Sequence, residues 1–287
     1  MKPFRWNLAK REQLGRLRRV DRNKSSVAYP QFDHDLRQCA ARVLAFAGDS
    51  DLVFVGRSPE SIFDYLSGIL LETTWQDRLR LANISIRCCT SARIADSYPR
   101  AIAAAQKHFG EIQLLPRDLV TSPRPIALID LVASGSTFQQ IARLLFAWAH
   151  EDGIDLRAMT EKLRFVGITW RTKTSPMTYR WHQHVDWLSE FGSRSVKNVS
   201  VPGRFWDYVG NRQEKVSWSN PPARWSDPNI MRPPRQHSHQ VALEFATKVF
   251  DNAVTSEERC SFADVLRKQP QMKESWFRDV VRMIRRR

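Results

Sequence analysis

The chain has no apolar run of the roughly 18 residues that a membrane-spanning helix needs, and its first residues lack the apolar stretch of a signal peptide. A cytoplasmic location without membrane association is therefore expected. Cysteine is sparse. Cys88 and Cys89 are adjacent while Cys39 and Cys260 stand far from each other, which is neither the spaced pattern of a zinc site nor a disulfide framework. No Gly-x-Gly-x-x-Gly fingerprint, no Walker loop with its Lys and no Gly-x-Ser-x-Gly elbow occurs, so the enzyme classes built on them are disfavoured. Acidic charge is also short: 30 Asp and Glu against 45 Lys and Arg leave a formal charge of +15, which favours a polyanionic or phosphorylated partner. Part of that excess lies at the ends, in residues 2–24 and in the five arginines from Arg278 to Arg287, and such termini serve either as solvated arms or as nucleic-acid contacts.

What is present reads as a folded α/β chain. With 287 residues, of which 42% are hydrophobic, a sizeable core is available. After a basic arm over residues 1–29, with a short helix at Leu8 to Val20, the pattern alternates. Asp33 to Ala47 carries Leu36, Ala40, Val43 and Leu44 at helical spacing, and Leu52 to Val55 is a short apolar run closed by Gly56. Ser58, Pro59 and Glu60 supply a capping hydroxyl, a proline and a carboxylate for a helix start. Further strands are predicted at Asn83 to Cys88, Pro125 to Asp130, Leu163 to Thr169 and Asn198 to Val201, with helices at Pro99 to Phe109 and Ser136 to His150. Alternation of this kind predicts a mostly parallel central sheet flanked by helices. The α/β domain is placed at residues 30–210, a Pro/Trp-rich linker or loop at 211–237, and a basic helical region at 238–287.

The chemistry concentrates in Ile126 to Thr137, where four apolar residues lead to a carboxylate, a small-residue loop and a helix start. The strand delivers the loop to the carboxyl end of the sheet, where open α/β sheets bind ligands. Ala133, Ser134 and Gly135 allow close approach, and amides at a helix N-terminus, with the Ser134, Ser136 and Thr137 hydroxyls, can cradle a phosphate. Asp130 stands one sugar-length away, where it could accept hydrogen bonds from ribose hydroxyls. A Gly135→Asp change is expected to crowd and repel the anion.

At these residues the sequence resembles the type I phosphoribosyltransferases, whose signature is an apolar strand, two acidic residues and a Thr-Gly-x-Thr-like loop for the 5-phosphate of phosphoribosyl pyrophosphate. Ser134-Gly135-Ser136-Thr137 matches the loop and Asp130 the second acidic position, whereas the first acidic position is Ile129 and Ala133 replaces an acid found in some members. The resemblance implies the phosphoribosyltransferase-like fold, phosphoribosyl pyrophosphate or a nucleotide as ligand, and Mg²⁺ as cofactor. It implies pyrophosphate binding for Arg57 and Ser58, which otherwise read as a surface Arg and a helix cap. It further implies base stacking for Phe205 or Trp206, which otherwise read as core aromatics. An active enzyme would use Asp130 on the ribose while pyrophosphate leaves C1. A nucleosidase-like hydrolase would need a second carboxylate from Asp64, Glu60 or Asp207. The two lost carboxylates and the large charge equally fit a catalytically degenerate nucleotide sensor or nucleic-acid-associated regulator, such as a bacterial defence effector; oligomerisation is left open. His182 and His184, and His237 and His239, lie two apart but lack a third metal ligand at sensible spacing. The six tryptophans from Trp170 to Trp225 read as single-strand stacking, sheet cover or a dimer interface.

Overall fold

The computed structural model describes residues 5–10, 14, 29–86, 97–171, 180–183, 185–192, 195–229 and 232–286. Five strands, β1 (Asp51–Val55), β2 (Leu79–Ala82), β3 (Ile126–Leu131), β4 (Leu163–Trp170) and β5 (Val196–Val201), form one sheet in the order β2-β1-β3-β4-β5. Every neighbouring pair is parallel. Parallel neighbours cannot be joined by tight hairpins, so the connections carry helices, and these cover both faces of the sheet.

Side-chain alternation along the strands sorts the two cores. Leu52 and Phe54 of β1 and Ala127 and Ile129 of β3 point to one face, under α1 (Phe32–Ala47) and α2 (Glu60–Ile69). Val53, Val55, Ile126 and Leu128 point to the other face. That face is covered by α3 (Pro99–Glu111), α4 (Pro116–Thr121), α5 (Ser136–Glu151) and α6 (Leu156–Lys162).

After the short α7 (Gly203–Asp207), the chain ends in α8 (His237–Val254), α9 (Ser256–Arg267) and α10 (Ser275–Arg285). These last three share the first core. Phe245, Val249, Phe262, Phe277 and Ile284 belong to the same buried cluster as Leu36 and Leu66. Gly68 lets α8 close onto α2, since a Cβ there would lie 2.7 Å from Ala253 Cβ. Glu258 of α9 accepts hydrogen bonds from Arg37 at 2.7 and 2.5 Å and from the Tyr65 hydroxyl at 2.5 Å. The helical end is thus fastened to the sheet layer by packing and by a partly buried charge pair. Among the described residues no helix is long and apolar enough to cross a membrane.

Two expectations change. The second strand lies at Leu79–Ala82, not at Asn83 to Cys88, because Val55 of β1 finds its partner in Ala82 and the chain then leaves the ladder. Ser85 instead donates its N–H to the Asn220 carbonyl at 2.9 Å, and Arg87 and Cys88 lie outside the described residues. Ser58 does not cap α2; Pro59 holds the N-cap position without a side-chain hydrogen bond. Most of the helix predicted at Leu8 to Val20 also lies outside the described residues, as do Cys89 and His184.

Candidate sugar-phosphate site

In the strand order found here the direction of winding reverses between β1 and β3, which is where doubly wound sheets open a ligand crevice at the carboxyl ends of their strands. A cavity of about 490 Å³ occupies that position. Asp130 through Thr137 form one wall, and Val55, Gly56, Arg57 and Ser58 after β1 form another. The sequence-predicted phosphate loop and pyrophosphate segment therefore face one space.

The turn after Asp130 is shaped by Gly135, whose φ of +81° places it in the left-handed region as the residue preceding α5. No side chain caps α5, so its first amides stay available to a ligand oxygen. Ala133 and Ser134 are exposed, and Ser136 and Thr137 are half-buried on the cavity wall. The outer side of Gly135 is closed by Trp181, a buried ring that a Cβ on residue 135 would penetrate. Trp181 is held by its Nε1 donating to Asn198 Oδ1 at 2.8 Å. A substituent at 135 would consequently strike this ring rather than reach the anion, which corrects the crowding expected for an aspartate there.

Asp130 is buried at the cavity floor, with its Oδ1 accepting from the Leu131 N–H at 2.7 Å. Loss of hydration pushes its carboxyl up to about 8, against which the bonds from Leu131 N–H and the Thr137 hydroxyl pull only part of the way. Thr137 is thus directed at Asp130. Ile129, which precedes Asp130, is fully buried against the helices of the opposite face and supplies nothing to the cavity, whose lining holds one further carboxylate, the exposed Glu214, among the described residues.

Arg57 makes no ion pair and no side-chain hydrogen bond among the described residues. Trp206 lines the cavity, donates its Nε1 to the Ile168 carbonyl at 3.1 Å and stacks on Trp170 at 6.2 Å. Phe205 does not face the ligand space. It is fully buried and stacked on Phe32, because α7 turns this side chain into the first core.

Sequence reasoning missed the third wall, residues 210–215, and His239 at the start of α8. The boundary drawn at residue 210 runs through the site. This segment is fastened by Glu60, which accepts from the Val216 N–H at 2.9 Å and from the Ser217 hydroxyl, and by Gln213, which donates to Ser61 Oγ at 2.5 Å. It positions Lys215, whose Nζ donates to the Val209 carbonyl and whose ammonium is pulled down to about 8 by burial, with the Glu60 carboxylate holding it up only in part. The Lys215 carbonyl in turn accepts from His239 Nδ1 at 2.8 Å, which fixes the proton on that nitrogen. A local signal for Lys215 hardly exists, since it is one basic residue among many.

The remaining carboxylates considered for hydrolysis are committed elsewhere. Asp64 receives both bonds of a buried Arg5 guanidinium, Glu60 holds Val216 and Ser217, and Asp207 pairs with Arg212 at 2.6 Å; none of the three lines the cavity. No group of three His, Cys, Asp or Glu suited to a metal occurs among the described residues. Asp130 and Glu214 are the carboxylates lining the cavity among the described residues, and one or two carboxylates hold Mg²⁺ only together with water or ligand oxygens. Comparison with protein-family models, with curated proteins and with solved structures finds no match.

Proposed function

We propose that the chain binds a phosphorylated ribose compound, phosphoribosyl pyrophosphate or a nucleotide, in the cavity between β1 and β3. The observation that carries this is the uncapped start of α5 opening, through the left-handed Gly135, into a cavity that also holds Arg57, which is unpaired among the described residues. In this reading the ester phosphate rests on residues 133–137, the ribose hydroxyls meet Asp130, and Arg57, Ser58 and Lys215 face a second phosphate. Trp206 offers the aromatic wall for a base. The all-parallel sheet with its switch point supports a phosphoribosyltransferase-like core.

Two features favour binding without turnover, as in a nucleotide-sensing or nucleic-acid-associated regulator. Ile129 is sunk in the core where an acid would be needed, and Ala133 supplies none. A formal charge of +15 supports an additional polyanionic partner.

Calorimetric titration with phosphoribosyl pyrophosphate and Mg²⁺, ribose 5-phosphate and a short oligonucleotide distinguishes these cases. Stoichiometric binding of the sugar phosphates is expected, and Arg57→Ala should weaken the diphosphate by about tenfold, one charge-assisted hydrogen bond, while leaving ribose 5-phosphate little changed. Pyrophosphate release on adding bases would make the protein a transferase. Absence of sugar-phosphate binding would overturn the reading, whatever the oligonucleotide does.

A further inference from the structure

The basic carboxyl-terminal residues are held on a rigid surface rather than on a loose arm. In α10 the side chains of Phe277, Val280, Val281 and Ile284 are buried in the first core, while Arg278, Arg282 and Arg285 recur at helical spacing on the opposite side, with Arg286 beside them. All four arginines are exposed. The end of α9 and the turn Pro270–Lys273 add the exposed Arg267, Lys268 and Lys273. Contacts join these cations into one patch. Asp264 of α9 meets Arg267 at 3.5 Å and Arg285 at 3.4 Å, and Arg278 Nη1 donates to the Met272 and Lys273 carbonyls at 3.0 and 2.6 Å. From Asp264 to Arg286 these seven cations face three exposed acids, Asp264, Glu274 and Asp279, so the patch keeps a clear positive excess. The exposed pairs Arg282–Asp279 and Arg285–Asp264 are worth little and can be exchanged for a polyanion.

We propose that this α9–α10 face docks the phosphate backbone of double-stranded nucleic acid. Arginine presents a planar fork that matches phosphate oxygens, and five of the seven cations are arginines. The stripe from Arg278 to Arg286 is about 12 Å long at 1.5 Å per residue, and one strand of a duplex sets about three to four phosphates along that length. Two other polyanions fit less well. A single strand is gripped through aromatic stacking, and an anionic membrane through apolar side chains pushed into the lipid. Among the described residues the exposed large apolar side chains are Tyr98, Leu156 and Trp170, none of them on α9 or α10. Trp276 of α10 is packed against Trp75 and Phe277, and the apolar side of the helix is spent on the core. What the face offers is charge on a rigid frame, which positions a duplex without reading its sequence. None of these residues lines the sugar-phosphate cavity, so the inference is independent of that reading.

The test is fluorescence anisotropy of the full chain with labelled DNA and RNA duplexes of unrelated sequences, the matching single strands, and a salt titration of each. At least one duplex type should bind, with similar affinity for every sequence and more tightly than its single strands. Replacing Arg282, Arg285 and Arg286 together by Gln should lower duplex affinity about tenfold or more and reduce the slope of log K against log salt by about 2 to 3, roughly 0.9 for each lost phosphate contact. Lys268→Gln with Lys273→Gln, which leaves α10 untouched, should act in the same direction. The same charge removed from the other side of the sheet, by replacing the exposed Arg117, Arg143 and Arg157 with Gln, should change neither quantity. Urea unfolding should be alike in all variants. Absence of duplex binding at low salt would overturn the proposal. So would tighter binding of single strands, an equal loss in the Arg117, Arg143 and Arg157 variant, or an unchanged affinity in both α9–α10 variants. Attachment to vesicles of equal phosphatidylserine and phosphatidylcholine that exceeds duplex binding and vanishes in the α10 variant would assign the face to a membrane instead.

Discussion

Replacing Asp130 with asparagine should stabilise the protein at alkaline pH while removing its affinity for ribose. Asp130 is 8% exposed and has no cationic partner among the described residues, and desolvation lifts its carboxyl to about 8 from an ordinary 3.8. A carboxyl raised in this way binds its proton more tightly in the folded than in the unfolded chain. Its unfavourable contribution is therefore absent below about pH 4, grows by about 1.4 kcal/mol per pH unit between about 4 and 8, and is constant above that. The full window corresponds to at most about 6 kcal/mol, which water entry and local relaxation reduce severalfold, so about 2–3 kcal/mol is expected between pH 5 and pH 8.5. Asparagine has almost the same shape, and its Oδ1 can still accept from the Leu131 N–H. Urea unfolding of both proteins at pH 5, 7 and 8.5 should show the Asp130→Asn advantage widening with pH. A gain of equal size at pH 5 and 8.5, or a loss at 8.5, would refute the claim that an uncompensated, buried carboxyl is kept at the floor of the cavity.

Gly135→Ala should lower stability by roughly 2–4 kcal/mol, from the left-handed φ together with the intrusion on Trp181, and should abolish ribose 5-phosphate binding; wild-type affinity in a folded variant would show that the turn is not the phosphate site. Glu258→Gln leaves the Arg37 guanidinium half-buried without its anion and should cost about 2–4 kcal/mol in urea unfolding, with sugar-phosphate affinity unchanged. A change below about 0.5 kcal/mol would mean that α9 is held to α1 and α2 by apolar packing alone.

Much of this architecture is legible along the chain, and the reason is that it is local. Ile126 to Thr137 contains the strand, the carboxylate, the turn and the helix start within one stretch, so a continuous apolar run, a left-handed glycine and a helix N-terminus can be read in sequence order. β1, β3 and β4 fall within a few residues of their predicted spans for the same reason, and α8, α9 and α10 fill the helical region placed from residue 238 onward. Where two apolar runs compete, local pattern fails: Leu79–Ala82 and the stretch from Asn83 are similar, and only the register with β1 chooses between them. Phe205 and Trp206 are neighbours in one short helix, and the packing of α7 against Phe32 sends one into the core and the other to the cavity.

The sequence by itself determined the alternating layers and the left-handed turn at the start of α5, because both follow from propensities and periods that act over a few residues. Tertiary structure alone decided that Trp181 backs Gly135, that Glu60 brings Lys215 to the cavity across 155 positions, and that Asp130 loses its hydration. Close approach and desolvation depend on which distant segments meet, and no pattern within a single segment encodes that meeting.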